Sequence, residues 1–404
     1  MTGKQCGMAV VAAVAAMWAG AAEAAFTHGN LYIVQVGTAG GTLSDAAQPV
    51  SLVEFNPAGV QVGAAHALPS TGASTALTLS GAGSHDGHLN FSTNGQYLLL
   101  GGYRANAGAA NPVIGTSAGA NRVIGRIDST WAADTTTALN DAYDQTEMTA
   151  VVSDTGSRFW TAGSGSYVSG LNSLPTTTGG LRYVGAVGAT SSVNVSRTQA
   201  TGGANAPDSL RGAKLIDGQI YVNTAAKESF DNKRGIFTTT PALPTSGAAA
   251  VADFVVNADG NPADSTGKFA PKTDFVLFDL NPSVPGFDVA YGTGGKLDYE
   301  KWSLVGGQWT RATNKSIASG EIQAMDGMLD ASGNVVLYAT TATAVYKLTD
   351  TAGYGNDFST TFAQIYAAPA GTEFRGLAVA VPEPGMVGAI AVAGVGMMMR
   401  RRRK

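Results

Sequence analysis

Short apolar runs separated by clusters of Gly, Asn, Asp, Ser and Pro recur along the middle of the chain. Leu31–Val36 and Val50–Phe55 are the first two, with Asn56-Pro57-Ala58-Gly59 as a turn after the second. A unit then repeats: a polar turn with Gly, followed by a β-branched or aromatic run. It appears as Phe91–Tyr103, Ser153–Gly163, Leu215–Asn223 and Leu329–Ala339, with turn glycines at Gly95, Gly156, Gly218 and Gly333. The spacings are 61, 62 and 115 residues, the last close to two periods, and Asp274–Leu280 falls where the missing copy belongs. A second strand follows several units, as in Arg122–Asp128, Leu181–Val187 and Ala344–Thr349. Runs of this length bounded by turn residues predict strands, and helical periodicity is scarce. The Ser/Thr/Ala/Gly segment Ser70–Ser84 reads as a flexible connection.

A period of this size built only from short strands predicts an all-β, β-propeller-like body. Ala25–Ala380 holds 356 residues, enough for six or seven blades. Closing the ring removes exposed sheet edges, so Leu31–Val36 is expected to join the last blade beside Phe374–Ala380. Two tandem β-sandwiches are the alternative fold. The 32 aromatic residues and the regular apolar runs argue against a disordered chain despite 53 glycines.

The two ends differ from this body. Residues 1–24 read as a signal peptide: Lys4, an apolar run from Met8 to Gly20, then Ala22-Glu23-Ala24 before a signal-peptidase cut at Ala25. Cys6, the sole cysteine, precedes the apolar run, so it does not fit a lipid-attachment site. Cleavage leaves a chain without thiols, which excludes disulfides and cysteine chemistry. Residues 381–404 form a second label. Pro382 and Pro384 break regular structure. Gly385–Met399 is uncharged for 15 residues, about 22 Å as a helix, followed by Arg400, Arg401, Arg402, Arg403 and Lys404. Such a basic cluster stays cytoplasmic.

Val381-Pro382-Glu383-Pro384, the apolar run to Met399 and the cluster Arg400–Lys404 together resemble the PEP-CTERM sorting signal of bacterial envelope proteins. The resemblance implies a short C-terminal transmembrane helix, recognition by exosortase and a transient inner-membrane anchor. It places the body in the cell envelope, at the surface or outside the cell, with exopolysaccharide or another matrix component as a partner. Ser51–Gly59, Asn94–Tyr103, Asn121–Asp128 and Lys301–Trp309 are similar to exported propeller-like bacterial proteins that carry such labels. That likeness implies fold and location and assigns no catalytic residues.

Charge narrows the function further. The chain has 25 Lys+Arg and 29 Asp+Glu. Removing the leader and the tail after Pro384 leaves 19 against 28. An acidic body is a poor nucleic-acid binder. Ser84-His85-Asp86-Gly87-His88 concentrates groups that could contact a metal, although no second His or Cys pair completes a shell; a polar loop entering a strand is the preferred reading. Asn257–Asp264 alternates oxygen ligands but lacks the bidentate Glu of a calcium loop. Asp141, Asp144 and Glu147 form either a surface turn or an acidic group at a propeller mouth. Gly163–Tyr167 and Gly165–Gly170 miss the nucleophile-elbow pattern, and Gly292–Gly295 lacks the Lys-Ser/Thr ending of a phosphate loop. Trp160, Trp302 and Trp309 suit blade cores at least as well as sugar stacking. No catalytic set, metal site or cofactor is assigned. The expectation is a non-catalytic binding or structural propeller, with a secreted hydrolase or lyase acting on an extracellular polymer as the alternative.

Overall fold

The computed structural model describes residues 25–381 apart from 84, 166–177, 196–209, 225–234, 248, 257–272, 294–297 and 318–319. Five antiparallel four-stranded sheets and one of five strands form a six-bladed β-propeller, and the described residues contain no helix. Blade 1 combines Thr372–Val379 with Leu31–Gly37, Val50–Phe55 and Gln61–Ala67. Blades 2 to 6 start with first strands Leu89–Phe91, Met148–Val152, Gly212–Ile216, Phe275–Phe278 and Ile322–Leu329, and each then runs outward in chain order. The first strand of blade 1 lies against those of blades 2 and 6, and the first strand of blade 3 lies against those of blades 2 and 4.

The alternation of side chains along a strand explains the continuous apolar runs. Successive residues face opposite sides of a sheet, and each blade is covered on both sides. Leu31 and Ile33 pack toward blade 6 with Tyr338 and Val345. Tyr32, Val34 and Val36, between and beyond them, pack toward blade 2 with Leu98 and Leu100. Leu99 turns the other way, to Val151 and Phe159 of blade 3. The six hydrophobic clusters correspond to the six interfaces between neighbouring blades. The core is therefore a ring of wedges, which no blade could form alone.

The turn glycines have a common role. Gly95, Gly156, Gly218 and Gly333 have φ of 67, 75, 75 and 80°, a left-handed conformation that favours glycine. Each lies in the hairpin from first to second strand of blades 2, 3, 4 and 6. Asp274–Leu280 contains the first strand of blade 5, Phe275–Phe278. Its hairpin is the longer turn through Asn281 and Gly286, which is why the repeat looks interrupted there.

Blade 1 closes the ring as expected. Leu31 pairs with Val379 and Tyr32 with Ala378. Gly29 N donates to Ala380 O at 2.7 Å, and Ala380 N donates to Asn30 O at 3.0 Å. The two ends of the body therefore meet where the other blades have a first hairpin. The Ser70–Ser84 segment is more ordered than its composition suggests: Leu79–Ser80 pairs with Ala47–Gln48, and Thr78 bridges Tyr103. The leader residues Ala22 and Ala24, the motif Pro382-Glu383-Pro384 and the cluster Arg400–Lys404 lie outside the described residues, as does Asn257–Asp264. Ala25 is exposed, and Val381 is 55% exposed where the clasp ends.

Candidate functional site

Charged residues collect at the starting ends of the first strands, around one mouth of the central channel. His88, Glu147, Arg211, Asp274 and Glu321 each stand directly before the first strand of blades 2 to 6. Lys214, Asp326, Glu373 and Arg375 lie within first strands.

The loop residues His85–His88 supply the centre of the site, and two glycines determine its path. Gly87 has φ of 80°, and a Cβ there would meet Leu79 Cδ1 at 2.7 Å. Gly376 N donates to Gly87 O at 3.1 Å. A Cβ on Gly376 would lie 2.5 Å from Leu89 N, so only glycine permits this approach. The loop is thereby pressed onto blade 1, and Arg375 Nη1 donates to Asp86 Oδ1 at 2.6 Å with both side chains buried. Arg375 also donates to Glu373 and to Ser80 O. Burial pushes the Asp86 carboxyl up to about 7 against the pull of Arg375, with Glu147 adding to the rise.

Two further groups complete the mouth. His85 Nδ1 lies 3.3 Å from Glu147 Oε2. Lys214 Nζ lies 3.6 Å from Asp274 Oδ1 and 3.5 Å from Asp326 Oδ1, and it donates to Met325 O at 3.4 Å. Burial disfavours the Lys214 ammonium, but the two carboxylates outweigh it and hold its pKa above the usual lysine value. Asp274 also accepts from Phe275 N and Met325 N, so it ties blade 5 to blade 6. His88 is 5% exposed. Burial lowers its pKa, although Asp274 pulls the other way, so the imidazole is neutral at neutral pH.

Asp86 Oδ2, His88 Nε2, Tyr103 Oη and Arg211 Nε are buried without a hydrogen-bond partner among the described residues. Leaving a buried polar group unmade costs about 1–3 kcal/mol. A mouth with several such atoms is suited to taking a polar occupant. Among the described residues, no three His, Cys, Asp or Glu side chains are grouped to hold a metal ion.

The structure divides the sequence candidates. Glu147 reaches the mouth. Asp141 accepts instead from Ser192 and pairs with Arg182, and Asp144 accepts from Ser117. Trp160 and Trp302 are buried and donate through Nε1 to Pro244 O and Glu300 Oε2, and Trp309 packs beside Phe254. All three therefore belong to blade cores. Arg211, Lys214, Asp274, Asp326, Glu373 and Arg375 were not singled out from the sequence. Arg211 and Asp274 carry a positional signal, a charged residue at the entrance to a first apolar run, whereas Lys214, Asp326, Glu373 and Arg375 lie inside those runs.

Fold and mouth together define a six-bladed propeller with an ionic channel entrance. No protein-family model and no curated protein matches the chain. Among solved structures, a provisionally assigned 6-phosphogluconolactonase of Bacteroides fragilis is 10% identical, with a TM-score of 0.43, covering 84% of this chain and 82% of that one. A glucose dehydrogenase is 10% identical, with a TM-score of 0.39, covering 76% and 96%. A β-propeller domain from Myceliophteria thermophila is 13% identical, with a TM-score of 0.35, covering 70% and 72%. Likenesses this distant assign neither ligand nor activity to the mouth.

Proposed function

We propose that this protein is an exported propeller, delivered to the cell envelope by its C-terminal sorting segment, that binds a polar ligand at the channel mouth. One observation carries the binding reading: charged groups from all six blades converge on the mouth, where buried polar atoms lack protein partners. Delivery rests on the two terminal segments, with signal peptidase acting at Ala25 and exosortase recognising Val381-Pro382-Glu383-Pro384. The clasp supports that arrangement. The body ends at Ala380, paired to Asn30, and the exposed Val381 follows with almost no linker. First strands begin at the mouth and end at the clasp side, so a tail leaving there would tether the body with its mouth turned away from the inner membrane. Replacing Pro382-Glu383-Pro384 with alanines and fractionating the cells tests delivery. The expected result is retention of an unprocessed chain in the inner membrane. Normal processing and surface display of the variant would overturn it.

A second reading, a hydrolase or lyase on an extracellular polymer, draws on Asp86 and His88. Both are buried titratable groups on the loop that leads into the first strand of blade 2, the residue types that general acid–base chemistry uses. Incubation with the extracellular polymer of the same cells separates the two. Binding leaves the count of polymer ends unchanged, whereas turnover raises it in the natural protein and not in Asp86→Asn.

A further inference from the structure

The clasp end of the body carries apolar side chains that the fold leaves uncovered. Strands alternate in direction, so the turn Asn56–Val60 of blade 1, the first hairpin of blade 6 and the exit at Val381 all lie at this end. Val60, Leu329 and Val381 are 60%, 46% and 55% exposed. Contacts join these places into one region. A Cβ on Gly29 would meet Pro57 Cγ at 3.6 Å and Met328 Cε at 3.9 Å, and Gly29 N donates to Ala380 O at 2.7 Å. Tyr338 and Lys347 of blade 6 both donate to Pro57 O, at 3.3 and 3.0 Å. Toward blade 2 the same end continues into aromatic rings. Phe26 stands edge-on to Tyr32 and Phe91, with centroids 5.1 Å apart in each pair, and 6.3 Å from Trp131. Phe26 and Trp131 are half-buried. Trp131 has φ of 68°, a left-handed conformation that bulky residues rarely adopt. Asp128 holds this turn, its Oδ1 accepting from Thr130 N and Ala132 N, and His66 stacks on the indole at 3.7 Å. Backbone strain of this kind collects at ligand clamps and switch regions.

Charged groups beside these side chains are engaged within the protein. Glu54 accepts from Asn30 and Tyr32, Asp330 Oδ1 accepts from Ser332 N and Asn334 N, and Lys347 is held by Pro57 O. What this end offers outward is therefore apolar and aromatic surface. The tail fixes what such a surface meets. Four residues, Val381–Pro384, separate Ala380 from the uncharged run that starts at Gly385. Fully extended they span about 14 Å, against a headgroup layer roughly 5–8 Å thick on each side of a bilayer. A run seated in the bilayer holds the clasp at headgroup level, where apolar side chains leave water and Trp rings sit by preference.

Resting on the reading of residues 381–404 as a membrane anchor, we propose that the clasp end docks onto the bilayer surface while the tail is intact. The contact is apolar and is made by Val60, Leu329, Phe26 and Trp131. Cys6 is the sole cysteine and lies in residues 1–24. Val60→Cys, Leu329→Cys and Ile114→Cys therefore each give the leader-free, tail-bearing chain a single thiol for a polarity-sensitive dye. Ile114, in the loop at the mouth end, is 66% exposed, so all three labels sit outside the packed core. Each chain is reconstituted in vesicles of phosphatidylethanolamine and phosphatidylglycerol that carry a nitroxide-labelled lipid at headgroup depth. The dyes at 60 and 329 are expected to shift to the blue and to be quenched, and the dye at 114 to do neither. High salt should leave this pattern unchanged, because it screens charge and not apolar contact. Chains that stay with the vesicles while all three dyes report water would overturn the docking and leave the anchor standing. Chains that never join the vesicles would overturn the anchor, and the docking with it. A blue shift at 60 and 329 that arises without vesicles and grows with protein concentration would assign this end to a second copy of the chain. Quenching at 114 with water at 60 and 329 would reverse the orientation and overturn the proposal.

Discussion

Lys301 and Asp350 form an ion pair at the interface of blades 5 and 6, with side chains 0% and 1% exposed. Asp350 Oδ2 accepts from Lys301 Nζ at 2.6 Å and from Tyr291 Oη at 2.6 Å, and Oδ1 accepts from Ala352 N at 2.7 Å. Lys301 also donates to Gly353 O at 2.6 Å. Lys301→Met keeps the length of the side chain and removes its charge, leaving the carboxylate with two neutral donors. Breaking a buried pair from one side costs about 3–5 kcal/mol. Unfolding entropy near 2.1 cal/mol/K per residue gives roughly 0.7 kcal/mol/K for a body of about 350 residues. A loss of about 4 kcal/mol should then lower the melting temperature by roughly 5 °C. Asp350→Leu alone strands the ammonium and should cost a similar amount. The double variant replaces the pair with apolar groups and should recover most of the loss, because the desolvation penalty of both charges disappears. Urea unfolding of the four proteins, followed by the fluorescence of the buried Trp302, completes the double-mutant cycle. A coupling of at least about 2 kcal/mol is expected. Single variants costing under about 1 kcal/mol, or a double variant costing the sum of the two, would refute the placement of this pair.

Other outcomes follow from the mouth and the clasp. Asp86 has a folded pKa raised to about 7, above the unfolded value, so the folded state binds the extra proton between roughly pH 4 and 7. The stability of the natural protein relative to Asp86→Asn should fall as pH rises through that window and level off above it; a difference independent of pH would refute the shift. Gly376→Ala places a methyl against Gly87 O and Leu89 N, and overpacking against backbone should cost about 3 kcal/mol, read as a lower melting temperature and faster proteolysis at the clasp. Melting unchanged within a degree or so would show that the loop before blade 2 is not pressed on blade 1.

The fold was legible because the strands are buried on both sides. Val50–Phe55 and Arg122–Asp128 have the bounds their apolar runs suggest, and the turn glycines mark the first hairpins. The connection Ser70–Ser84 was not legible. Its order comes from tertiary contacts of polar residues, Thr78 to Tyr103 and Ala105, and Ser80 to Asp45, which local composition does not encode. Blade 5 escaped the repeat because its hairpin uses Asn281-Pro282 and Gly286 in place of the short glycine turn. Part of the mouth was visible in the cluster His85-Asp86-Gly87-His88. Arg375 and Lys214 were not, since each is one charge inside an apolar strand, and only ring closure brings the strands together. Glu147 was one of three acidic neighbours, and the register of blade 3 selects it over Asp141 and Asp144.

We propose that the body is exported and then released by cleavage near the clasp. Intact-mass measurement of the protein isolated from the cell envelope examines both ends at once. The expected species begins at Ala25 and lacks Arg400–Lys404. A chain that retains residues 1–24 and the basic cluster, recovered in the cytoplasm, would contradict it.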